Sequence, residues 1–265
     1  MRILNENLVI LNTSLVFLNA SLVILNASLV ILNASLVILN ASEESHIYNK
    51  RKEKSMAFDY KKEYKEFYMP KNKPSIVDVP KMNYIAVRGK GNPNEENGEY
   101  SKSVELLYGI AYTIKMSYKG DYKIDGYFDY VVPPLEGFWW QDGIKGMDYS
   151  RKEQLNFISI IRLPDFVNEK DFEWAVKEAT RKKKMDFSKV EFLVYEEGIC
   201  VQCMHLGPYD DEPKTVKLMD DYAKEKGYAN DITDKRYHHE IYLSDPRKCE
   251  PHNLKTVIRH PVKKI

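Results

Sequence analysis

Tyr237-His-His-Glu-Ile-Tyr-Leu-Ser-Asp-Pro246 is the stretch on which the reading of this chain turns. It is short, aromatic and β-branched, and Ser244-Asp245-Pro246 stops it, so it reads as a β-strand over 237–243. Alternation along a strand puts Tyr237, His239, Ile241 and Leu243 on one face and His238, Glu240 and Tyr242 on the other. The first face is apolar enough for a core. The second sets a carboxylate between an imidazole and a phenol. A carboxylate in mid-strand either faces solvent or occupies a cavity, and that choice decides what the chain can do.

Working outward, 198–207 reads as a strand that ends in Gly207-Pro208-Tyr209-Asp210. A helix is expected at 212–225, with Val216, Met219, Tyr222 and Ala223 on one side, and a last strand at 254–260. The first half of the folded region echoes this order. A strand at 83–91 leads to a helix at 100–118, whose Val104, Leu107, Tyr108, Ala111 and Ile114 fall at helical spacing. Strands are expected next at 126–132, and at 137–140 or 155–163. Between the halves, strands at 157–163 and 190–195 and a helix at 170–184 are expected, with a hairpin turn at Glu196-Glu197-Gly198. The fold class is therefore α+β: duplicated strand-helix-strand-strand units with mostly antiparallel sheets around a central ligand cleft.

Residues 5–42 differ from the rest. Asn19-Ala-Ser-Leu-Val-Ile-Leu25 recurs at 26–32 and 33–39, and no charge interrupts 7–42. The apolar stretch is too long for a signal peptide. Each copy also carries an Asn and a Ser, which dilutes any membrane span. The near-identical copies suggest a duplicated stretch read from an early start. The expected organisation is 1–42 a low-complexity heptad array, 43–55 a linker, and 56–265 the folded domain, with Met56 as the natural start. No membrane association is expected unless 1–42 is real and inserted.

Formal net charge is +1, so no global field recruits nucleic acid or an anionic membrane. Arg181-Lys-Lys-Lys184 reads as the solvated end of a helix. Three cysteines, Cys200, Cys203 and Cys249, argue against a disulfide framework and suit a reducing cytoplasm. Cys200 and Cys203 point to opposite faces of a strand, which spoils chelation. No spacing of three or four convergent ligands indicates a metal. Arg88-Gly-Lys-Gly91 lacks phosphate-loop spacing, and no cofactor is expected. Nineteen Tyr and three Trp are enough to line a pocket for a flat or cationic ligand.

Leu206-Gly-Pro-Tyr-Asp210 before the second helix and His239-Glu-Ile-Tyr-Leu-Ser-Asp-Pro246 near the end resemble the GyrI-like small-molecule-binding domains. Pro134-Leu-Glu-Gly-Phe-Trp-Trp140 and Lys255-Thr-Val-Ile-Arg259 resemble the standalone branch of that superfamily. The resemblance covers most of 56–265 and none of the heptad array. It implies an aromatic cavity with a central acidic residue, which falls on Glu240. It also implies one of three uses: hydrolysis of cyclopropane-bearing DNA-alkylating compounds, non-catalytic sensing or sequestering of drugs, or gyrase inhibition. The family's regulators carry a helix-turn-helix; none is visible here, so direct DNA binding is not expected.

Glu240 is the expected catalytic residue, as a general base. Trp139, Trp140, Tyr108, Tyr112, His238, Tyr242 and Glu136 are the expected ligand-binding residues, for a hydrophobic or aromatic small molecule. Trp139 and Trp140 point to opposite faces if extended, so one at most faces the cavity. Tyr108 and Tyr112 share one side of the first helix.

Overall fold

Apolar periodicity and turn chemistry divide the chain into the following elements, seen in a computed structural model that describes residues 57–265 apart from Lys145 and Tyr149. Two short helices open it, α1 (Tyr60–Glu63) and α2 (Lys65–Tyr68). Strands β1 (Ser75–Val79) and β2 (Met82–Lys90) lead to helix α3 (Glu99–Lys115). Strands β3 (Leu135–Gln141) and β4 (Leu155–Arg162) precede helix α4 (Glu169–Lys183). Then come β5 (Glu191–Tyr195), β6 (Gly198–Leu206), helix α5 (Glu212–Glu225), β7 (Tyr228–Asn230), β8 (His238–Tyr242) and β9 (Lys255–Lys264). The expectations for 1–42, for the linker and for a start at Met56 lie outside the described residues.

The strands form one open sheet in the order β1-β6-β9-β8-β3-β4-β2-β5, with β7 paired to β9. Every neighbouring pair is antiparallel. The order is the same read outward from the β3–β8 seam in either direction. On one side β2, α3, β3 and β4 make a strand-helix-strand-strand unit; on the other β6, α5, β8 and β9 repeat it. In each unit the strand after the helix lies at the seam, and the last strand inserts between it and the first.

Local chemistry explains the elements. In α3, buried Leu107, Ile110, Ala111 and Ile114 recur at i, i+3, i+4 and i+7. They pack with α4 over Ile85, Val87 and Ile161 of the sheet. In α5, Met219 and Ala223 cover Val201, Cys203 and Ile258. Helix α4 begins at Asn168, whose side chain accepts from the Lys170 and Asp171 amides while Asp171 reaches back to the Asn168 amide. Burying each of these Leu or Ile side chains contributes roughly 1.5–3 kcal/mol. The opposite face of the sheet carries Tyr84, Phe138, Ile158, Ile160, Ile241 and Val257 under Tyr60, Phe67 and Tyr68.

One expected strand, 126–132, is absent. That segment makes a single parallel bridge, Phe58 to Tyr130. Pro133 and Pro134 follow it and have no amide hydrogen to offer a ladder. The place beside β4 is filled by β3 instead, and Tyr127, Phe128 and Tyr130 pack around Phe166. Strands β1 and β7 and the two opening helices were not anticipated; each is five residues or fewer, too short to show a period.

Candidate functional site around Glu240

The pairing of β3 with β8 builds the site. Trp139 stands opposite His238, and Gly137 opposite Glu240. Paired residues share a face, so Trp139, His238, Glu240 and Tyr242 point to one side of the sheet. Helices α3 and α5 lie on this side, reaching the site through Tyr100 in the first turn of α3 and Glu212 in the first turn of α5.

Glu240 is 7% exposed. Its Oε1 lies 2.9 Å from His238 Nε2, and Glu212 Oε2 lies 3.9 Å from the same nitrogen. On its other side, His238 Nδ1 meets His260 Nε2 at 2.7 Å. The Trp139 indole N–H donates to the Tyr242 hydroxyl at 2.8 Å. Tyr100 packs on Trp139 with centroids 5.2 Å apart, and Tyr209 meets Tyr242 edge-on at 6.0 Å. Burial first, and the Glu240 carboxylate next, raise both the Tyr242 and the Tyr209 hydroxyl above the ordinary tyrosine range. Both therefore stay protonated and can donate. Gly137 is required at its position: a Cβ there would sit 2.7 Å from the Trp139 indole nitrogen and 3.2 Å from the Tyr242 hydroxyl.

Glu212, His238 and Glu240 each offer a donor atom, all within 4.8 Å of one another. Two come from β8 and one from α5, so no local spacing in the chain signals the trio. Such a set could share a divalent cation. At 2.9 Å, however, His238 Nε2 and Glu240 are at hydrogen-bond length, with Glu212 Oε2 3.9 Å from the same nitrogen.

The structure thus brings together four of the expected residues: Glu240, His238, Tyr242 and Trp139. Tyr108 and Tyr112 form a stacked pair about two turns further along α3, with Tyr112 half exposed. Trp140 and Glu136 lie on the opposite face of the sheet. Trp140 packs on Tyr237 at 4.9 Å. Glu136 belongs to a different cluster, centred on His239. There His239 Nδ1 lies 2.7 Å from Glu197 Oε2, and His239 Nε2 lies 3.0 Å from Glu136 Oε2, off the angle of a good hydrogen bond. Arg259 reaches Glu197 at 3.4 Å and donates to the Phe67 carbonyl and the Gln202 side chain. Tyr68 donates to Glu136 at 3.3 Å.

Burial alone would raise the Glu197 carboxyl, but the His239 and Arg259 charges outweigh it and hold it at about 2. Burial works against the charged form of His239, yet Glu197 and Glu136 raise it above the ordinary histidine range. The face read from sequence as apolar enough for a core therefore encloses a paired charge cluster around His239. Its partners come from β3, β9 and the β5–β6 turn, and only the register brings them under His239.

Sequence reading missed Tyr100, Tyr209, Glu212 and His260. Tyr209 lies inside Leu206-Gly-Pro-Tyr-Asp210, a segment noted for other reasons. His205 is held by Thr215 and the Pro208 carbonyl, so it pins the entry to α5.

A nearly buried carboxylate on a two-unit antiparallel sheet, beside two helices and among aromatic rings, is the candidate site this face offers. The sequence matches the GyrI-like small molecule binding domain over residues 72–263, and the chain belongs to that family. It is similar to a hydrolase from Listeria innocua, with 49% identity over 78% of this chain and 100% of that one, at a TM-score of 0.71. It is also similar to an uncharacterized conserved protein from Listeria innocua, with 50% identity, the same coverage and a TM-score of 0.73. No curated protein matches the chain. Among the described residues no helix is long and apolar enough to cross a membrane.

Proposed function

We propose that this GyrI-like protein binds a hydrophobic, partly aromatic small molecule against Tyr100, Trp139, Tyr209 and Tyr242 and hydrolyses it, with Glu240 as general base. The observation that carries the reading is Glu240 itself: a nearly buried carboxylate, hydrogen-bonded to a histidine and walled by aromatic rings. The similar Listeria hydrolase supports the reaction class. The substrate class is an electrophile with a strained ring, such as a cyclopropanoid alkylator.

In the reaction, water held against Glu240 gives its proton to the carboxylate while its oxygen bonds to a ring carbon. The strained carbon–carbon bond breaks, and its electron pair passes into the ligand's conjugated system. That system is then protonated, so the net change is the addition of one water. In this reading Tyr209 and Tyr242, which stay protonated, donate to the oxygen on which charge develops. The aromatic walls hold the ligand flat and exclude bulk water.

The test is incubation of the purified full chain with a cyclopropanoid alkylator, with the hydrated, ring-opened product followed by mass spectrometry. Glu240→Gln is expected to lower kcat by about 10² to 10⁴ while ligand binding survives. No turnover by the wild type, or equal turnover by Glu240→Gln, contradicts hydrolysis. Tight binding without turnover selects the second reading, a non-catalytic drug sensor or sequestering protein. That reading draws on the same geometry, because a carboxylate among aromatic rings also attracts a cationic ligand. Gyrase binding that no ligand alters selects the inhibitor.

A further inference from the structure

Glu240 ends a chain of three side chains that runs beneath α5. His238 Nε2 lies 2.9 Å from Glu240 Oε1, and His238 Nδ1 lies 2.7 Å from His260 Nε2. All three residues are buried. The second histidine comes from β9, on the same face of the sheet as Val201 and Ile258 under α5.

Each of the two links takes one hydrogen. As a general base Glu240 is ionised, and an ionised carboxylate only accepts, so the first hydrogen sits on His238 Nε2. With His238 neutral, its Nδ1 is then an acceptor, and His260 must donate from Nε2. The opposite arrangement would place the His260 hydrogen on Nδ1. That atom is buried and has no hydrogen-bond partner among the described residues. An orphaned buried N–H is rarer than an under-satisfied buried acceptor. Burial, and then the neighbouring His238, hold His260 well below the ordinary histidine range, which keeps it neutral.

We propose that His260 is a positioning residue for Glu240: by donating from Nε2 to His238 it selects the His238 tautomer that donates to Glu240, and so fixes the orientation of the carboxylate. The logic is that of any histidine whose working nitrogen is set by the bond its other nitrogen makes. The groups facing the pair are Glu212 from α5, Tyr100 from α3, Tyr209 from the turn before α5, and Tyr242 from β8. Among the described residues none of the contacts made to His238 Nδ1 competes with that of His260.

This inference rests on the general-base reading of Glu240, and its test has an arm that needs no turnover. Imidazole nitrogen NMR on the full chain is expected to show His238 with hydrogen on Nε2 and bare at Nδ1. His260→Gln places an amide N–H near the lost Nε2 and is expected to preserve that tautomer, with kcat within about threefold of wild type. His260→Leu fills similar space with no donor. It is expected to release His238 to the other tautomer and to lower kcat about 10- to 100-fold at unchanged KM. Where the leucine variant does not fold, His260→Asn, whose shorter amide falls short of His238, carries the same expectation. Wild-type His238 carrying its hydrogen on Nδ1, or equal kcat in the Gln and Leu variants, overturns the proposal. An inactive wild type removes the hydrolase reading alone, and the tautomer measurement still decides the His260–His238 link.

Discussion

His238 and His239 are adjacent, both are buried, and both touch carboxylates, yet their surroundings differ in kind. His239 lies with Arg259 against Glu136 and Glu197, two carboxylates for two cationic groups, sealed under the opening helices. His238 lies with a second histidine against Glu240 and Glu212, and no arginine or lysine is paired with Glu240 among the described residues. The first cluster is closed, with two carboxylates set against His239 and Arg259, and with Arg259 donating to the Phe67 carbonyl and the Gln202 side chain. The second leaves a carboxylate held by the neutral donors His238 and Tyr242 among aromatic rings, with no guanidinium on it among the described residues. A carboxylate locked to a guanidinium is a poor base; one held lightly by an imidazole keeps a lone pair for water. One alternating strand thus carries a structural charge cluster on one face and a chemical one on the other.

The comparison breaks most visibly through the closed cluster. Glu197→Gln leaves His239 and Arg259 buried with half their counter-charge. The expected loss of stability is about 3–5 kcal/mol, a fall in melting midpoint on the order of 10 °C by calorimetry. A shift of a degree or less would show that this cluster is incidental to the fold.

A smaller effect is the pH dependence of that stability. Glu197 is lowered to about 2 in the fold, so its contribution is full above its unfolded value near 4.5 and fades as pH falls towards 2. His239 is raised, so its contribution is full below its unfolded value near 6.5 and fades as pH climbs through the raised one. Denaturant melts of the wild type should therefore place maximum stability between about pH 5 and 6.5. Glu197→Gln should flatten both limbs. A maximum at alkaline pH would contradict the assignment of charges.

The smallest expected effect concerns the open cluster. If His238 and Glu240 work through their hydrogen bond, with Glu212 beside them and no metal between, exhaustive chelation leaves turnover within about twofold of untreated protein. Loss of turnover restored by a divalent cation would recast the trio as metal ligands.

Much of this was legible in the chain. Period-2 alternation puts His238, Glu240 and Tyr242 on one face and sends Trp139 and Trp140 to opposite ones. Helical spacing located α3, α4 and α5 to within a few residues. Partnership across strands was not legible. That Trp139 and not Trp140 joins Glu240 depends on the β3–β8 register, in which Trp139 meets His238. Placement of Glu136 with His239 depends on the same register, and His260 reaches His238 only because β9 lies beside β8. The hydrophobic look of Tyr237, Ile241 and Leu243 hid the cluster around His239 for the same reason: its other members are 42 residues away at Glu197, and on β3 and β9.

The division of labour between the two faces is tested most directly by measuring melting midpoint and cyclopropanoid turnover side by side in Glu240→Gln and Glu197→Gln. The account predicts that Glu240→Gln keeps its midpoint within a few degrees and loses about 10² to 10⁴ in kcat. Glu197→Gln should melt far lower and yet, below its midpoint, turn over at close to the wild-type rate. Full turnover by Glu240→Gln would contradict the central claim.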